Sequence, residues 1–230
     1  MTRKRLSGSR PGLSKLRFLP AISLVLILIL SGAMLAGCIK RGGPSAVVQR
    51  YTFEYPSPHF TDLSRINQTI KVERFSAAKT YNNRSMVFRP EPFKLDTYAS
   101  NHWMVNPGDM VSDFLLRDLR GSGLFRAVFS FRDLEDARYS LEGSVDEFLE
   151  VDEDGKRHAV MACTVTLVDL FHTEASARLL FQKRYQAAEP LQKETPAGLA
   201  QAMSTGMEKV STRIINDIHT AILKEAIEQK

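Results

Sequence analysis

The sequence predicts a two-layer α+β domain, in which a mostly antiparallel sheet carries two main helices on one face. Three observations predict it. Short segments alternate apolar and polar residues with the period of a half-buried strand, and two longer segments repeat apolar residues with the period of a helix. About 185 residues follow a basic and apolar N-terminal region, which suits one domain. We therefore expect a single domain over residues 49–230.

The first part of this domain is predicted to consist of short strands. Residues 49–56, "QRYTFEYP", alternate aromatic and polar side chains up to a proline, and residues 69–75, "TIKVERF", alternate again. "RSMVFRP" and "FKLDTYAS" are predicted as two further strands. Because Pro90 and Pro92 have no N–H to donate, these two strands are expected at a sheet edge or in a broken ladder.

The first helix is predicted at "NPGDMVSDFLLRDLRGSG". Asn106 can cap it, Pro107 suits the first helical position, and Asp109 in the first turn interacts favourably with the helix dipole. Gly121 or Gly123 is expected to end the helix. The segment that follows, "LFRAVF", is predicted as a strand.

The centre of the domain is predicted to be a meander of three strands. "RYSLEGSVDEFLEV" alternates until a bulge or twist near Asp146, and "DEDGK" is a turn in which Gly155 suits a positive φ. "RHAVMACTVTLVDLF" is apolar on both faces, so it is expected to be a central strand with Cys163 in its interior. The third strand is "ARLLFQKRYQAA". Three of its residues are expected to face inward: Leu179, Phe181 and Tyr185.

The second helix is predicted to begin at "ETPAGL", where Thr195 can cap it and Pro196 suits its first position. At about 30 residues it would be roughly 45 Å long. A break at residues 204–206 is left open. The apolar residues that recur along it at helical spacing are Leu199, Met203, Val210, Ile214, Ile218 and Ile222.

The N-terminal region has the layout of a secretory signal. Six basic residues and no acid precede the apolar run "AISLVLILIL". The low-polarity stretch over residues 21–37 is 17 residues long. Since a spanning helix needs roughly 17 to 25 residues, length alone leaves a membrane span open. The small residues Ala33, Ala36 and Gly37 favour cleavage by a signal peptidase.

The end of this region, Leu35-Ala36-Gly37-Cys38, resembles a bacterial lipobox, in which the cysteine thiol receives diacylglycerol and the chain is cut just before it. The resemblance implies that residues 1–37 are a signal peptide. It also implies that Cys38 is the lipidation site and that residues 38–48 form a lipidated N-terminus and flexible tether. The alternative is an uncleaved anchor with an incidental cysteine.

Cleavage before Cys38 would change the composition of the mature chain. All six basic residues of the signal leave, so 25 Lys plus Arg remain against 26 Asp plus Glu, and the formal net charge falls from +5 to −1. A nearly neutral chain gives no electrostatic reason to bind nucleic acid. Cys163 becomes the only free thiol, so no intramolecular disulfide is expected.

A lipidated Cys38 would hold the domain at a membrane, because two or more acyl chains anchor a protein stably. In bacterial lipoproteins generally, an Asp after the cysteine is associated with the inner membrane. Ile39 stands there in this chain. The resemblance therefore implies an outer-membrane anchor with the domain facing the periplasm.

Several stretches follow one another in the order and spacing of a known family: "YTFEYP", "YNNRSMVFRP", "LDTYASNHWMVNPGDM" and "LLRDLRGSGLFRAV". On these residues and the lipobox, the sequence resembles the ABC-type transport auxiliary lipoprotein family, which includes the paraquat-inducible protein C-like lipoproteins. The matching residues are Tyr81, Val87, Tyr98, Trp103, Pro107, Leu119, Gly123, Phe125 and Val128.

The resemblance implies a non-enzymatic role in moving lipids or other hydrophobic substrates between the two envelope membranes. The implied partner is a substrate-binding protein with mammalian-cell-entry domains or an ABC permease complex, docked at the outer membrane. Family members can form rings, so a homo-oligomeric ring is compatible with it. The alternative is a structural lipoprotein that scaffolds a secretion or envelope assembly complex.

No enzymatic chemistry is expected from the sequence. It contains no Gly-x-Ser-x-Gly elbow and no glycine-rich phosphate loop, and Cys163 lies in the middle of a predicted strand. The five histidines are scattered, and no pair has the spacing of a helical zinc site: His59, His102, His158, His172 and His219. We expect no catalytic residue, metal site or cofactor.

The segment "YASNHWMVNPG" offers the candidate contact residues. Tyr98, Trp103 and Met104 could form an aromatic contact surface for a partner or a lipid, since tryptophan is enriched at interaction hot spots. The alternative is that Trp103 plugs the junction between helix and sheet.

Overall fold

A computed structural model of the chain describes residues 47–174 and 178–228, and residues from Val47 onward form one compact unit. This part contains nine strands and two helices. The strands are β1 (Gln49–Tyr51), β2 (Ile66–Val72), β3 (Ser76–Ala77), β4 (Ser85–Glu91), β5 (Lys94–Trp103), β6 (Phe125–Ser130), β7 (Tyr139–Glu153), β8 (Lys156–Asp169) and β9 (Leu179–Pro190). The helices are α1 (Pro107–Ser122) and α2 (Pro196–Glu228).

The 15-residue strand β7 is the axis of the sheet. Along one edge it pairs antiparallel with β8, which pairs antiparallel with β9. Along its other edge, β2, β3 and β4 pair with successive parts of β7, all parallel to it. Beyond them, β6 is parallel to β2, β5 is antiparallel to β4, and β1 is parallel to β5. The long antiparallel ladder confirms the predicted fold class and the central meander.

Both helices cover the same face of the sheet. Helix α2 packs on β8 and β9, α1 packs on β2, β3, β6 and β7, and the two helices touch. All of the apolar residues that were predicted to recur along α2 are buried. We call the other side of β7, β8 and β9 the open face. Neither α1 nor α2, the two helices in the described ranges, has an apolar stretch that could cross a membrane.

Helix α2 is continuous through residues 204–206, where a break was considered. The Ser204 hydroxyl donates a hydrogen bond of 2.7 Å to the Ala200 carbonyl, so it bonds within the helix instead of interrupting it. A Cβ on Gly206 would lie 3.4 Å from Ala187 Cβ and from Met161 Sδ. The glycine therefore allows α2 to approach the sheet closely without leaving helical geometry.

The local signals that bound the elements are confirmed. Asn106 Oδ1 accepts a hydrogen bond of 3.0 Å from the Asp109 N–H, and α1 ends at Gly123, which has φ +65°. Gly155 has φ +75° in the β7–β8 turn. The Thr195 hydroxyl accepts a bond of 3.1 Å from the N–H three residues later in α2. The predicted bulge near residue 146 is also present, as a register shift between β7 and β8.

The first strand is shorter than predicted, because it ends at Tyr51 instead of continuing to residue 56. Tyr55 is held by α1 and not by a neighbouring strand. Its hydroxyl donates a hydrogen bond of 2.7 Å to Asp118 Oδ2, and its carbonyl accepts one of 3.1 Å from Arg117 Nη1. The alternation of aromatic residues here reflects packing against a helix.

The prediction that Leu179 faces inward is wrong, because its side chain is 53% exposed. The register between β8 and β9 shifts at the start of β9, where Leu167 pairs with Phe181 but Val168 pairs with Leu179, so the simple alternation of β9 does not extend to its first residue. Phe181 is half-buried against the core and Tyr185 is fully buried, as predicted.

Candidate functional site

The sheet has two ends, which carry different side chains. At the hairpin end lie the β4–β5 turn and the β7–β8 turn, because Arg89 pairs with Val151 shortly before both turns. At the far end, β7 begins beside the end of β8, where Tyr139 pairs with Asp169. The Tyr139 hydroxyl also bonds Glu225 near the end of α2. A ladder of this length separates the two ends by about 45 Å at 3.3 Å per residue.

Trp103 lies in the core, where its side chain is only 1% exposed. Its ring meets Phe148 edge to face at 5.1 Å between centroids and Phe53 at 6.3 Å. Its indole Nε1 is buried and has no hydrogen-bond partner among the described residues. Trp103 therefore fills the junction between helix and sheet, which is the alternative that was considered for this residue. It is not exposed to a partner.

Tyr98 is half-buried and belongs to a polar network. Its ring packs on Phe88 at 5.0 Å, and its hydroxyl donates a hydrogen bond of 2.9 Å to Glu150 Oε2. The other Glu150 oxygen accepts a bond of 3.2 Å from Arg157 Nη1. Burial, together with the Glu150 hydrogen bond, raises the pKa of Tyr98 to about 12. Tyr98 therefore joins β5 to β7 and stays neutral.

Met104 is the exposed member of the three predicted contact residues, at 52% exposure. Its backbone N–H donates a hydrogen bond of 2.8 Å to the Tyr51 carbonyl, which fixes the residue after β5. Tyr98 and Trp103 lie on β5 and Met104 directly follows it, but the three side chains have different environments. Cys38 lies outside the described residues.

The β4–β5 turn carries an apolar tip that was not predicted from the sequence. Phe93 is fully exposed, at 106%, and has a φ of +67°, which is unusual for a residue other than glycine. Leu95 beside it is also exposed. Lys94 and Glu91 form an ion pair of 3.0 Å across the turn. The signal available in the sequence was an aromatic residue directly after Pro92, at the junction of two predicted strands.

A groove lined by both apolar and charged residues extends from this tip across the open face. One depression of about 520 Å³ lies against the tip, and a second of about 420 Å³ lies on β7, β8 and β9. They share Arg89, Val151 and Glu153, so they form one continuous surface, which we call the groove. Its further apolar lining consists of Phe93, Leu95, Leu149, Val160 and Ala188.

The charged lining of the groove is mostly acidic. Its polar lining consists of Arg89, Glu147, Asp152, Glu153, His158 and Gln186. Among the described residues, His158 Nδ1 is buried without a hydrogen-bond partner. Glu147 is bound by Arg184. Ligand sites in proteins are concave and mostly apolar with a small number of placed polar groups. With apolar residues beside one arginine and three carboxylates, the groove has the chemistry to contact an amphipathic segment.

A second cluster of titratable groups lies at the far end. Donor atoms of Asp169, His172 and Glu225 lie within 4.8 Å of one another, a spacing that a metal ion could bridge. Arg138 already engages the cluster, with Nη2 at 2.7 Å from Asp169 Oδ2 and at 3.7 Å from Glu225 Oε1. Burial disfavours the charged form of Asp169. Hydrogen bonds from the Arg138 side chain and the Phe171 N–H outweigh this effect and lower the pKa of Asp169.

The arginine supplies the positive charge that a metal would supply, so this cluster acts as a buried ion-pair brace between β7, β8 and α2. Sequence spacing could not predict this cluster, because Glu225 follows His172 by 53 residues. Since Arg138 already neutralises the cluster, the groove is the better candidate for a functional site.

Comparisons with known proteins agree with this architecture. The crystal structure of protein XCC0632 from Xanthomonas campestris, assigned to the DUF330 family, has a TM-score of 0.70 and 18% sequence identity, covering 78% of this chain and 99% of that one. A crystal structure of an uncharacterized protein has a TM-score of 0.59 and 14% identity, covering 75% and 99%. At these identities the likeness shows a shared fold. No curated protein matches the chain.

The described residues form an α+β domain with a groove on its open face. Residues 51–215 match the family described as the ABC-type transport auxiliary lipoprotein component. This chain belongs to that family. The resemblance found in the sequence is thereby confirmed, and the chain is an auxiliary lipoprotein component associated with an ABC-type transport system.

Proposed function

We propose that this chain is anchored at the outer membrane and supports the movement of lipids or other hydrophobic substrates between the two envelope membranes. The family match over residues 51–215 carries the proposal, because it spans nearly all of the described fold. Residues 1–37 are removed as a signal peptide. Cys38 then carries diacylglycerol and a further acyl chain such as palmitate, and residues 38–48 connect this anchor to the domain.

The proposed partner is a substrate-binding protein with mammalian-cell-entry domains or the ABC permease complex that works with it. The domain docks this component at the outer membrane and has no catalytic role. The groove supports the assignment, since its apolar residues offer contact area and its charged residues, Arg89 and three carboxylates, offer partners for polar groups. Met104, which is exposed directly after β5, and Tyr98 on β5 remain proposed contacts for a partner or a lipid outside the groove.

A photo-crosslinking side chain in the groove tests docking. Ala188 and Gln182 are both exposed, lie on β9 and differ by an even number of positions, so both side chains point to the same face. Of these two residues, Ala188 lines the groove and Gln182 does not. We expect a photo-crosslinker at Ala188 to capture the periplasmic component or the permease complex in intact cells, and the same group at Gln182 to capture neither.

Two outcomes would contradict the proposal. Equal capture from Ala188 and Gln182 would show that the groove is not the docking surface. Capture from Ala188 of secretion or envelope assembly components alone would favour the structural scaffold, which has the same fold and anchor.

The proposal also includes a homo-oligomeric ring. In the described part of the sheet, β6 and β9 each pair with a strand on one side only, so each leaves an edge for a neighbouring subunit. Native mass spectrometry of the detergent-solubilised protein is expected to show a single closed oligomer. A monomer over the whole concentration range would rule the ring out.

A further inference from the structure

The first strand fixes the direction from which the tether reaches the domain. Gln49 pairs with Asn101, and the ladder continues in parallel to Tyr51 and Trp103. Strands in a parallel pair run in the same direction. The residues before Gln49 therefore leave toward the residues before Asn101, which is toward the β4–β5 turn. Val47 and Val48, both exposed, are the last described residues in that direction.

The hairpin tip lies within reach of the lipidated cysteine. Phe93 precedes Asn101 by eight residues, which corresponds to about 26 Å along β5 at 3.3 Å per residue. Eleven residues lead from Cys38 to Gln49, and an extended chain of that length spans at most about 36–40 Å. The anchor can therefore hold the hairpin end at the membrane surface.

The tip carries the exposed apolar side chains that a membrane contact requires. Phe93 is fully exposed and packs on nothing in the described domain, and Leu95 beside it is exposed as well. Pro90 and Pro92 restrict the backbone on its β4 side, so the tip loses little conformational freedom when it is buried. The Lys94 and Glu91 ion pair cancels the charge of the turn.

We propose that Phe93 and Leu95 insert into the interfacial region of the same bilayer that holds Cys38, and that this contact fixes the orientation of the domain at the membrane. The inference rests on the proposed lipidation of Cys38. The contact is apolar, because the tip itself is neutral and the adjacent β7–β8 turn has no excess of basic residues, with Asp152, Glu153 and Asp154 against Lys156 and Arg157. It therefore forms on zwitterionic phosphatidylcholine and is not strengthened by anionic lipid.

A matched pair of tryptophan variants tests the contact. Phe93→Trp places the reporter at the hairpin tip, and Phe171→Trp places it at the far end, where Phe171 is 72% exposed. Trp103 is the only native tryptophan and is buried, so it gives a constant background. The full mature protein is purified from cells, reconstituted into phosphatidylcholine vesicles and floated, and its emission is measured with lipids brominated at shallow acyl positions.

We expect the Phe93→Trp emission to shift to the blue and to be quenched by roughly half or more, since interfacial side chains lie about 5–10 Å into the boundary. The Phe171→Trp emission is expected to be unchanged. Flotation with equal quenching of both variants, or of neither, would overturn the membrane contact while leaving the anchor intact. Failure of both variants to float would overturn the anchor at Cys38 and the contact with it.

Discussion

The Tyr98 hydroxyl donates a hydrogen bond of 2.9 Å to Glu150 Oε2, which connects β5 to β7 across β4. Glu150 is buried, and Arg157 on β8 binds its other oxygen. This network fixes the β4–β5 hairpin to the long ladder. The orientation of the hairpin tip and the shape of the groove beside it both depend on this connection.

Replacing Tyr98 by Phe is expected to destabilise the domain by about 1–3 kcal/mol, because one oxygen of a buried carboxylate loses its donor. Urea unfolding followed by circular dichroism measures the change. Thr97→Ala, one residue away with an exposed side chain, is the control and should stay within about 0.5 kcal/mol of the unaltered protein. Equal stability of Tyr98→Phe and the control would show that the network does not support the hairpin.

The buried carboxyl group should also make stability depend on pH. Burial raises the pKa of Glu150 above its ordinary value of 4.5. The folded domain therefore holds this proton more tightly than the unfolded chain, and the resulting stability is fully present below pH 4.5 and is lost as pH rises through the folded pKa. The unfolding free energy of the unaltered protein, relative to Glu150→Gln, is expected to fall over that range. If the difference in unfolding free energy between the two proteins did not change with pH, the raised pKa of Glu150 would be contradicted.

Trp103→Ala is expected to destabilise the domain by about 3–5 kcal/mol, because a large buried ring leaves a cavity between Phe53 and Phe148. Met104→Ala, at the exposed neighbour, should change stability little. Thermal unfolding of both variants gives the comparison, and partner capture below the melting temperature is expected to survive in each. Lost capture by a fully folded Trp103→Ala protein would instead support a contact role for the indole.

Phe93→Asn should make the isolated domain more stable while weakening its membrane contact. A residue other than glycine at φ +67° has an unfavourable backbone conformation, and asparagine tolerates this region better. We expect a gain of about 0.5–1 kcal/mol in urea unfolding without lipid. A loss of stability would mean that the Phe93 ring packs on the domain, which would argue against its availability to a bilayer.

Local features of this fold were predictable because their causes are local. Asn106, Gly123, Gly155 and Thr195 each specify a cap or turn through their own side chain or backbone. Two-residue alternation marked β7, and an apolar run on both faces marked β8 as a central strand. Neighbouring antiparallel strands follow one another in the chain, so the meander could also be predicted.

Features that join distant segments could not be predicted in the same way. The parallel pairing of β2, β3 and β4 along one edge of β7 depends on which strands meet, and periodicity does not carry that information. The same holds for Tyr98 with Glu150, which are 52 residues apart. The contact surface was sought at Trp103, because its size suggested a hot spot, but that size also makes it the residue that fills the junction.

Cys38 is the residue on which the account depends most, since the outer-membrane position, the docking role and the orientation of the tip all follow from its lipidation. Mass spectrometry of the mature protein from the membrane fraction tests it most directly. We predict a chain that begins at Cys38 and carries the added mass of diacylglycerol and a further acyl chain. A chain that retains Met1, or a mature chain without lipid, would contradict the account.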